Sequence, residues 1–312
     1  MNAIDLDRLP APKVIEELDF EVLLAALIAK AIARYPEFAD VIGLESEPAR
    51  KLLEVAAYRD MLHRERINDA ARALLLAYAM DSDLDHLGAR VDVERLPGEK
   101  DERFKPRVKA GNSLLAAAGP SNAYRAHVMR VSTDIVDVNV DSPIDGQVAV
   151  AVLARERVPV SEATEVEIRH GRAAFPDQPE DETLVDIIAR SGSRVMNAVR
   201  RALNAEEVRP LTDWLVVAPP SVIEYQTHAT LTLYPGTEPD LVVVEAQRRW
   251  ATYRDSTRKI GYDVTRAGIT GAAAAPGVQN VLLSAPAADV VTSPLQLALC
   301  TAEQILPGDT RV

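Results

Sequence analysis

The chain holds many side chains able to do chemistry, but not at the spacings chemistry requires. Its five histidines, His63, His86, His127, His170 and His228, are scattered, and none stands in a His-x-x-x-His or His-x-x-Glu-His pattern that would set two imidazoles on one helix face around a metal. Cys300 is the single cysteine, so neither an intramolecular disulfide framework nor a cysteine-rich zinc site can form, and its place in the apolar stretch 295–300 predicts a buried, inert thiol. No Gly-x-Ser-x-Gly elbow, phosphate-binding Gly-x-x-x-x-Gly-Lys or dinucleotide Gly-x-Gly-x-x-Gly occurs. Asp81-Ser82-Asp83-Leu84-Asp85 spaces carboxylates like a calcium loop but lacks the glycine and terminal glutamate, and helix capping accounts for it. A glycosidase pair of carboxylates would leave no spacing signature, yet 4% aromatic residues offer few rings on which to stack sugars. The expectation is a non-enzymatic protein with no catalytic, cofactor-binding or metal-binding residues.

Composition narrows the partners. Thirty-five Lys and Arg against 47 Asp and Glu give a net charge of −12, an unfavourable field for nucleic acid. No apolar run approaches the ~18 residues of a membrane span and no secretory leader is evident, so a soluble protein folded in the cytosol is expected. Only seven of the basic residues are Lys, and the excess of Arg suits planar, bidentate pairing at protein contacts.

The elements that must position any working surface begin with helices. Leu18, Val22, Leu23, Leu27, Ile28, Ala31 and Ile32 recur at helical spacing until Pro36. A second helix is expected from Ser46, with Pro48 in its first turn, to about Met80, some 50 Å at ~1.5 Å per residue, too long to be buried by a small domain alone. At 100° per residue, Ala49, Leu53, Ala57, Ile67, Ala71, Leu75 and Tyr78 form one stripe, with Asp60 and Arg64 inside it. Those two are either a local i, i+4 ion pair or a polar collar that sets register against a partner helix. A short helix over 84–89, capped by Asp81 or Ser82, follows.

Residues 90–106 are polar and read as a domain boundary. Beyond them helix and strand patterns alternate: a helix from 119 to about 131, strands at 136–140 and 147–153, a polar insertion or long loop at 157–182, a helix over 183–204 that Ser191-Gly192-Ser193 interrupts, and a short strand at 214–217. The clearest strand runs from Ile223 to Leu233, with Glu224, Gln226 and His228 on its wet face. Helices at 240–256 and 264–274, a strand at 278–283 and a proline-punctuated tail close the chain. The fold expected is α+β: an N-terminal long-helix arm (1–92), then two α+β domains (93–190 and 191–312) with small mixed or antiparallel sheets. A helix-then-strand echo between the segment ending at 143 and that ending at 286 suggests a duplicated unit.

Several blocks in fixed order carry a resemblance. Ile4-Asp5-Leu6-Asp7-Arg8-Leu9-Pro10-Ala11-Pro12, Leu44-Glu45-Ser46-Glu47-Pro48, Arg66-Ile67-Asn68-Asp69-Ala70-Ala71-Arg72-Ala73, Ala118-Gly119-Pro120-Ser121-Asn122-Ala123-Tyr124, Val138-Asn139-Val140-Asp141-Ser142-Pro143, Leu203-Asn204-Ala205-Glu206-Glu207-Val208-Arg209-Pro210-Leu211-Thr212-Asp213 and Ile223-Glu224-Tyr225-Gln226 together resemble the baseplate J-like proteins of contractile-tailed phages. The resemblance implies a structural wedge subunit of a phage tail or phage-derived bacteriocin, assembled in the host bacterial cytoplasm. It also implies partners: a second copy and the smaller wedge protein through the N-terminal helices, neighbouring wedges through the C-terminal domains, and the hub, sheath-initiator and fibre-bearing proteins around them. Leu53, Ala57, Asp60, Arg64, Ile67, Ala71, Leu75 and Tyr78 are then expected at the arm interface and Glu224, Gln226 and His228 at the C-terminal one. The insertion at 157–182 departs from the family pattern. A tail-associated hydrolase and a fibre-anchoring or receptor-binding module are the alternatives.

Overall fold

The computed structural model describes residues 9–10, 12–44, 46–111, 121–178, 183–205, 208 and 214–310, and the chain divides into two compact units, residues 1–95 with 99–109 and residues 96–98 with 110–312. The first unit is helical. Asp19 caps α1 (Phe20–Arg34) by accepting from the N–H groups of Glu21 and Val22, and the helix ends where Pro36 cannot continue it. α2 (Pro48–Ala73) packs against α1. It stops well short of Met80: after Leu74 the chain folds into tight turns, with Leu75 N–H to Arg72 C=O at 3.0 Å and Ala79 N–H to Leu75 C=O at 2.9 Å. No Gly or Pro marks this stop. Tertiary packing ends the helix, because turning there buries Ala79 and carries α3 (Asp81–Ala89) to where Leu84 is fully enclosed. The helix therefore spans about 39 Å rather than 50 Å.

The polar run expected to be a linker is built into this unit as α4 (Asp101–Ala110). Its Asp101 carboxylate, rather than Asp81 or Ser82, receives the Asp81 N–H at 2.8 Å and so caps α3, and that bond is the main reason the Asp101 pKa is lowered. Phe104 lies fully buried beneath the guanidinium groups of Arg95 and Arg107, whose carbons stand 4.5 Å and 5.7 Å from the ring centroid. Buried Glu99 pairs with both Arg103 and Arg107, and a Cβ at Gly88 would strike Phe104 and the Val93 carbonyl. An apparently solvated charge run is thus a paired, packed joint.

The second unit is α+β, with two sheets. In the first, the long central strand β2 (Gln147–Pro159) pairs antiparallel with β1 (Ile135–Asp141) and β3 (Leu184–Ile188) and parallel with β4 (Trp214–Ala218). Helices α5 (Ser121–Met129) and α7 (Arg194–Leu203) supply Tyr124, Val128, Met196 and Val199 to one face, against Val150, Val152 and Ala154. On the other face Ala151 and Leu153 meet Phe175, Leu297 and Leu299, so β2 is covered on both sides and reads as an unbroken Val/Ala run.

Among its described residues the segment read as an irregular insertion or long loop holds the end of β2 and helix α6 (Glu165–Ala174), with Thr164 and Glu167 forming a reciprocal capping box; residues 179–182 of it lie outside the described residues. The expected helix over 183–204 is β3 followed by α7, capped by Ser193. Leu184, Ile187 and Ile188 imitate helical spacing, but the β-branched run pairs with β2. Because α7 and β4 pack with the first sheet, the division expected at 190/191 cuts through it, and the change of sheet falls between Ala218 and Ser221.

The second sheet has the order β6-β5-β7. Its centre, β5 (Ser221–Leu233), pairs antiparallel with β6 (Val278–Ala285) and parallel with β7 (Gln296–Thr310). The proline-punctuated tail is therefore a long edge strand; Pro307 and Gly308 are tolerated because β7 has a neighbour on one side only at that point. α8 (Pro239–Thr257) and α9 (Arg266–Ala273) cover the face formed by Tyr225, Ala229, Leu231 and Leu233, with Trp250 at its centre.

Candidate functional site

The arm's expected stripe faces α1. Ala57 is fully buried, and Leu53, Asp60, Arg64 and Ala71 are half-buried on the same side of α2. Arg64 donates to Asp60 at 3.1 Å and to Glu16 at 2.7 Å, so the collar is an intrahelical pair extended to the segment ahead of α1; both carboxylates raise the Arg64 pKa, Glu16 foremost. Ile67 lies outside the packed face with 60% of its surface exposed, and Leu75 and Tyr78 stand beyond the helix end.

One contact on this face left no signal in the sequence. Asn68, buried at 1% exposure, accepts the Glu16 N–H at 3.0 Å and donates to the Glu16 carbonyl at 2.9 Å, and so closes a two-bond clamp on the backbone. Opposite it runs a second apolar stripe. Leu52, Val55, Tyr58 and Leu62 fall within about 120° of one another at 100° per residue and are all at least half exposed or close to it, from 71% at Leu52 to 49% at Leu62. Arg59 and Arg66 lie exposed in the same sector.

On β5 the alternation holds: Tyr225, Thr227, Ala229, Leu231 and Leu233 point into the core, and Glu224, Gln226 and Thr230 are exposed. Glu224 is engaged inside the chain, accepting from Arg169 at 2.7 Å and His170 at 2.8 Å on α6, and these donors lower its pKa. Gln226 is exposed and His228 half-buried on the same face. That face continues through Thr230 to Leu282 on β6 and Leu306 on β7, which stand in register with it. Gln226, Thr230, Asn280, Leu282, Ala302, Gln304 and Leu306 carry no formal charge, so beyond the Glu224–Arg169 pair this side of the sheet is neutral in a chain of net charge −12.

The geometry offers little to catalysis. Among the described residues no three of His, Cys, Asp and Glu come together as a metal-binding group, and no described helix is long and apolar enough to cross a membrane. Burial pushes the Cys300 thiol up from its ordinary value, away from the thiolate a nucleophile needs. Asp137 is also pushed up by burial, but both its role and its partners are structural: it accepts the Ile260 N–H at 2.7 Å, next to Asn139, which donates to the Pro294 carbonyl at 2.7 Å. These bonds fasten β1 to the loops of the second sheet.

What known proteins share with this chain agrees with that picture. Residues 45–99 match the Baseplate J-like N-terminal domain and residues 116–219 the Baseplate J-like central domain. The first match covers α2 and α3, and the second ends where the chain leaves the first sheet. The chain is 35% identical to Baseplate protein J of Escherichia phage P2, over 99% of each of the two chains. It therefore belongs to the baseplate J family, as a structural protein of the phage baseplate and not an enzyme.

Proposed function

We propose that the chain is a wedge subunit, located in the virion or tail-particle baseplate, and that it works by holding other baseplate proteins on two separate surfaces. The helical arm bundles with a second copy and a smaller wedge protein. The C-terminal sheet meets a neighbouring wedge, and the rings so formed surround the hub and pass a conformational change to the sheath. The observation that carries this reading is the double-sided α2: one face is consumed by α1 within the chain, while Leu52, Val55, Tyr58 and Leu62 keep a second apolar face in water. An exposed apolar stripe of this kind on a helix marks a contact with another protein. Its occupants are those the family suggests; of the arm interface expected at Leu53, Ala57, Asp60, Arg64, Ile67, Ala71, Leu75 and Tyr78, the residues Leu53, Ala57, Asp60, Arg64 and Ala71 face the chain's own α1 side, so the outer stripe is proposed in their place.

Thiol labelling tests it. With Cys300→Ser removing the native thiol, Val55→Cys should react quickly in the isolated chain and at least about tenfold more slowly in assembled particles. Equal reaction in both states means that this face stays open and the bundle is formed elsewhere.

A further inference from the structure

The charges of α2 sort onto its two sides. Every acid of the helix is already taken: Glu54 accepts from Arg50 at 3.0 Å, Asp60 from Arg64 at 3.1 Å, and Glu65 and Asp69 from Arg72 at 3.0 Å and 2.9 Å. Three cations are left over. The side chains of Lys51, Arg59 and Arg66 are exposed and have no partner among the described residues, and all three stand on the outer side with Leu52, Val55, Tyr58 and Leu62. The imbalance survives counting. At 100° per residue the arc of about 120° that holds those four apolar residues contains these three cations and one acid, Asp69, in a chain of net charge −12.

Where the arginines stand within the stripe selects what can cover it. Viewed down the axis, Arg59 and Arg66 lie between Leu52 and Leu62, in the middle of the apolar arc and not at its polar border. Being seven residues apart, they project in one row, about 10.5 Å from each other along the helix. A lipid surface favours the opposite pattern, an uninterrupted apolar face with cations on the polar side. The same face of a second copy fits no better, because apposing the two would gather the guanidinium groups with no carboxylate between them once water is excluded. Another kind of helix meets the need. Side chains in one row at a seven-residue spacing suit a packed seam whose partner repeats every seven residues, and each arginine fork matches a carboxylate.

We infer that the outer stripe of α2 receives an amphipathic helix of a different protein, one that carries carboxylates seven residues apart within its own apolar seam. Leu52, Val55, Tyr58 and Leu62 supply the buried area. Arg59 and Arg66 fix the partner's identity and register, since an arginine enclosed in the seam without its carboxylate is strongly unfavourable. This rests on the proposal that the outer stripe is a contact, and it says which kind of chain lies there.

Fluorescence anisotropy with the full chain tests it. The probe is a labelled four-heptad peptide with Leu at the seam positions, except for one Glu in each of two successive heptads, seven residues apart; the controls replace both Glu by Gln or by Lys. The Glu peptide should bind at least about tenfold more tightly than the Gln peptide, and the Lys peptide most weakly, as a charge-assisted pair gives way to a neutral contact and then to repulsion. Arg59→Glu with Arg66→Glu, at exposed positions, should leave the thermal midpoint in place and make the Lys peptide the tightest binder. In the Cys300→Ser background, the bound Glu peptide should slow labelling of Val55→Cys. The inference is overturned if the Glu and Gln peptides bind alike, if the double charge reversal leaves their order unchanged, or if the Val55→Cys thiol reacts as fast with peptide bound. It is equally overturned if phosphatidylglycerol vesicles bind the chain more tightly than the Glu peptide does, or if the chain alone forms a dimer that the double reversal dissolves, which would give the stripe to a second copy. Protection of that thiol in assembled particles together with equal binding of the three peptides would remove the acidic partner and leave the stripe a contact; a thiol that stays open in particles would remove both.

Discussion

Asn68 shows how one side chain can hold a fold whose pattern says nothing of it. An asparagine in a helix interior reads as solvated, yet this one satisfies both the N–H and the C=O of Glu16 while almost wholly buried. Asn68→Ala leaves those backbone groups unpaired and should destabilise the first unit by about 1–3 kcal/mol, read as a lowered denaturant midpoint and faster proteolysis ahead of α1. Glu167 is a second case. Arg190 first, then the Thr164 backbone N–H, hold its carboxyl down at about 2. A lowered folded pKa means that the unfolded chain takes up the proton first, so the contribution is complete above the usual carboxylate range near 4.3 and fades as the pH falls toward 2. Glu167→Gln should flatten the loss of stability across that acid window, and an unchanged acid-denaturation profile would remove Glu167 from the account. The Asn68 clamp and the Glu167–Arg190 pair were not legible in the sequence, because both depend on partners brought from a distance, whereas the Thr164-x-x-Glu167 capping box is a local pattern.

The elements were legible in proportion to how far local pattern alone decides them. α1, α8 and β5 follow their periodicity, since one face of each packs on a core while the other meets water. The end of α2 was hidden because Leu74, Leu75 and Leu76 continue a helical pattern that packing overrules. β3 was hidden by apolar spacing common to strand and helix, and β7 by Pro307 and Gly308, residues that an edge strand accepts. The helix-then-strand echo has a structural counterpart: β1 follows α5 and β6 follows α9, and each strand lies antiparallel to a central strand that has a parallel neighbour on its other side. In the first sheet the centre follows that unit in sequence, and in the second it precedes it. The two faces of α2 then separate stability from assembly. Ala57→Asp puts an unpaired charge into the α1–α2 contact and should cost several kcal/mol, seen as loss of helical signal from the first unit. Val55→Asp with Leu62→Asp, on exposed positions, should leave the isolated chain's stability within about 1 kcal/mol while abolishing sheathed particles. Normal particles from that double variant would show that the outer stripe is not the contact.

At the scale of the whole molecule, charge decides which surfaces copies of this chain can share. Each carries a net −12, and two like charges brought to 4 Å repel by about 1 kcal/mol even in bulk water, so contact between copies is least costly where charge is absent. The open part of the second sheet's face meets that condition, with Gln226, Thr230, Leu282 and Leu306 across three strands and α8 and α9 on the other side. Glu224, at the edge of this face, is already paired with Arg169 and His170, which leaves Gln226, His228 and the Leu282–Thr230–Leu306 row as its uncharged part, the part proposed to meet a neighbouring copy. Introducing charge there should act on association and not on folding. Thr230→Glu with Leu282→Glu should shift the isolated chain's unfolding free energy by no more than about 1 kcal/mol, because both positions are exposed, while ring closure fails at moderate ionic strength. High salt screens the repulsion over a few ångströms and should restore part of the assembly. Rings that close as readily with the four added charges of a meeting pair as without them would place the neighbour on some other face.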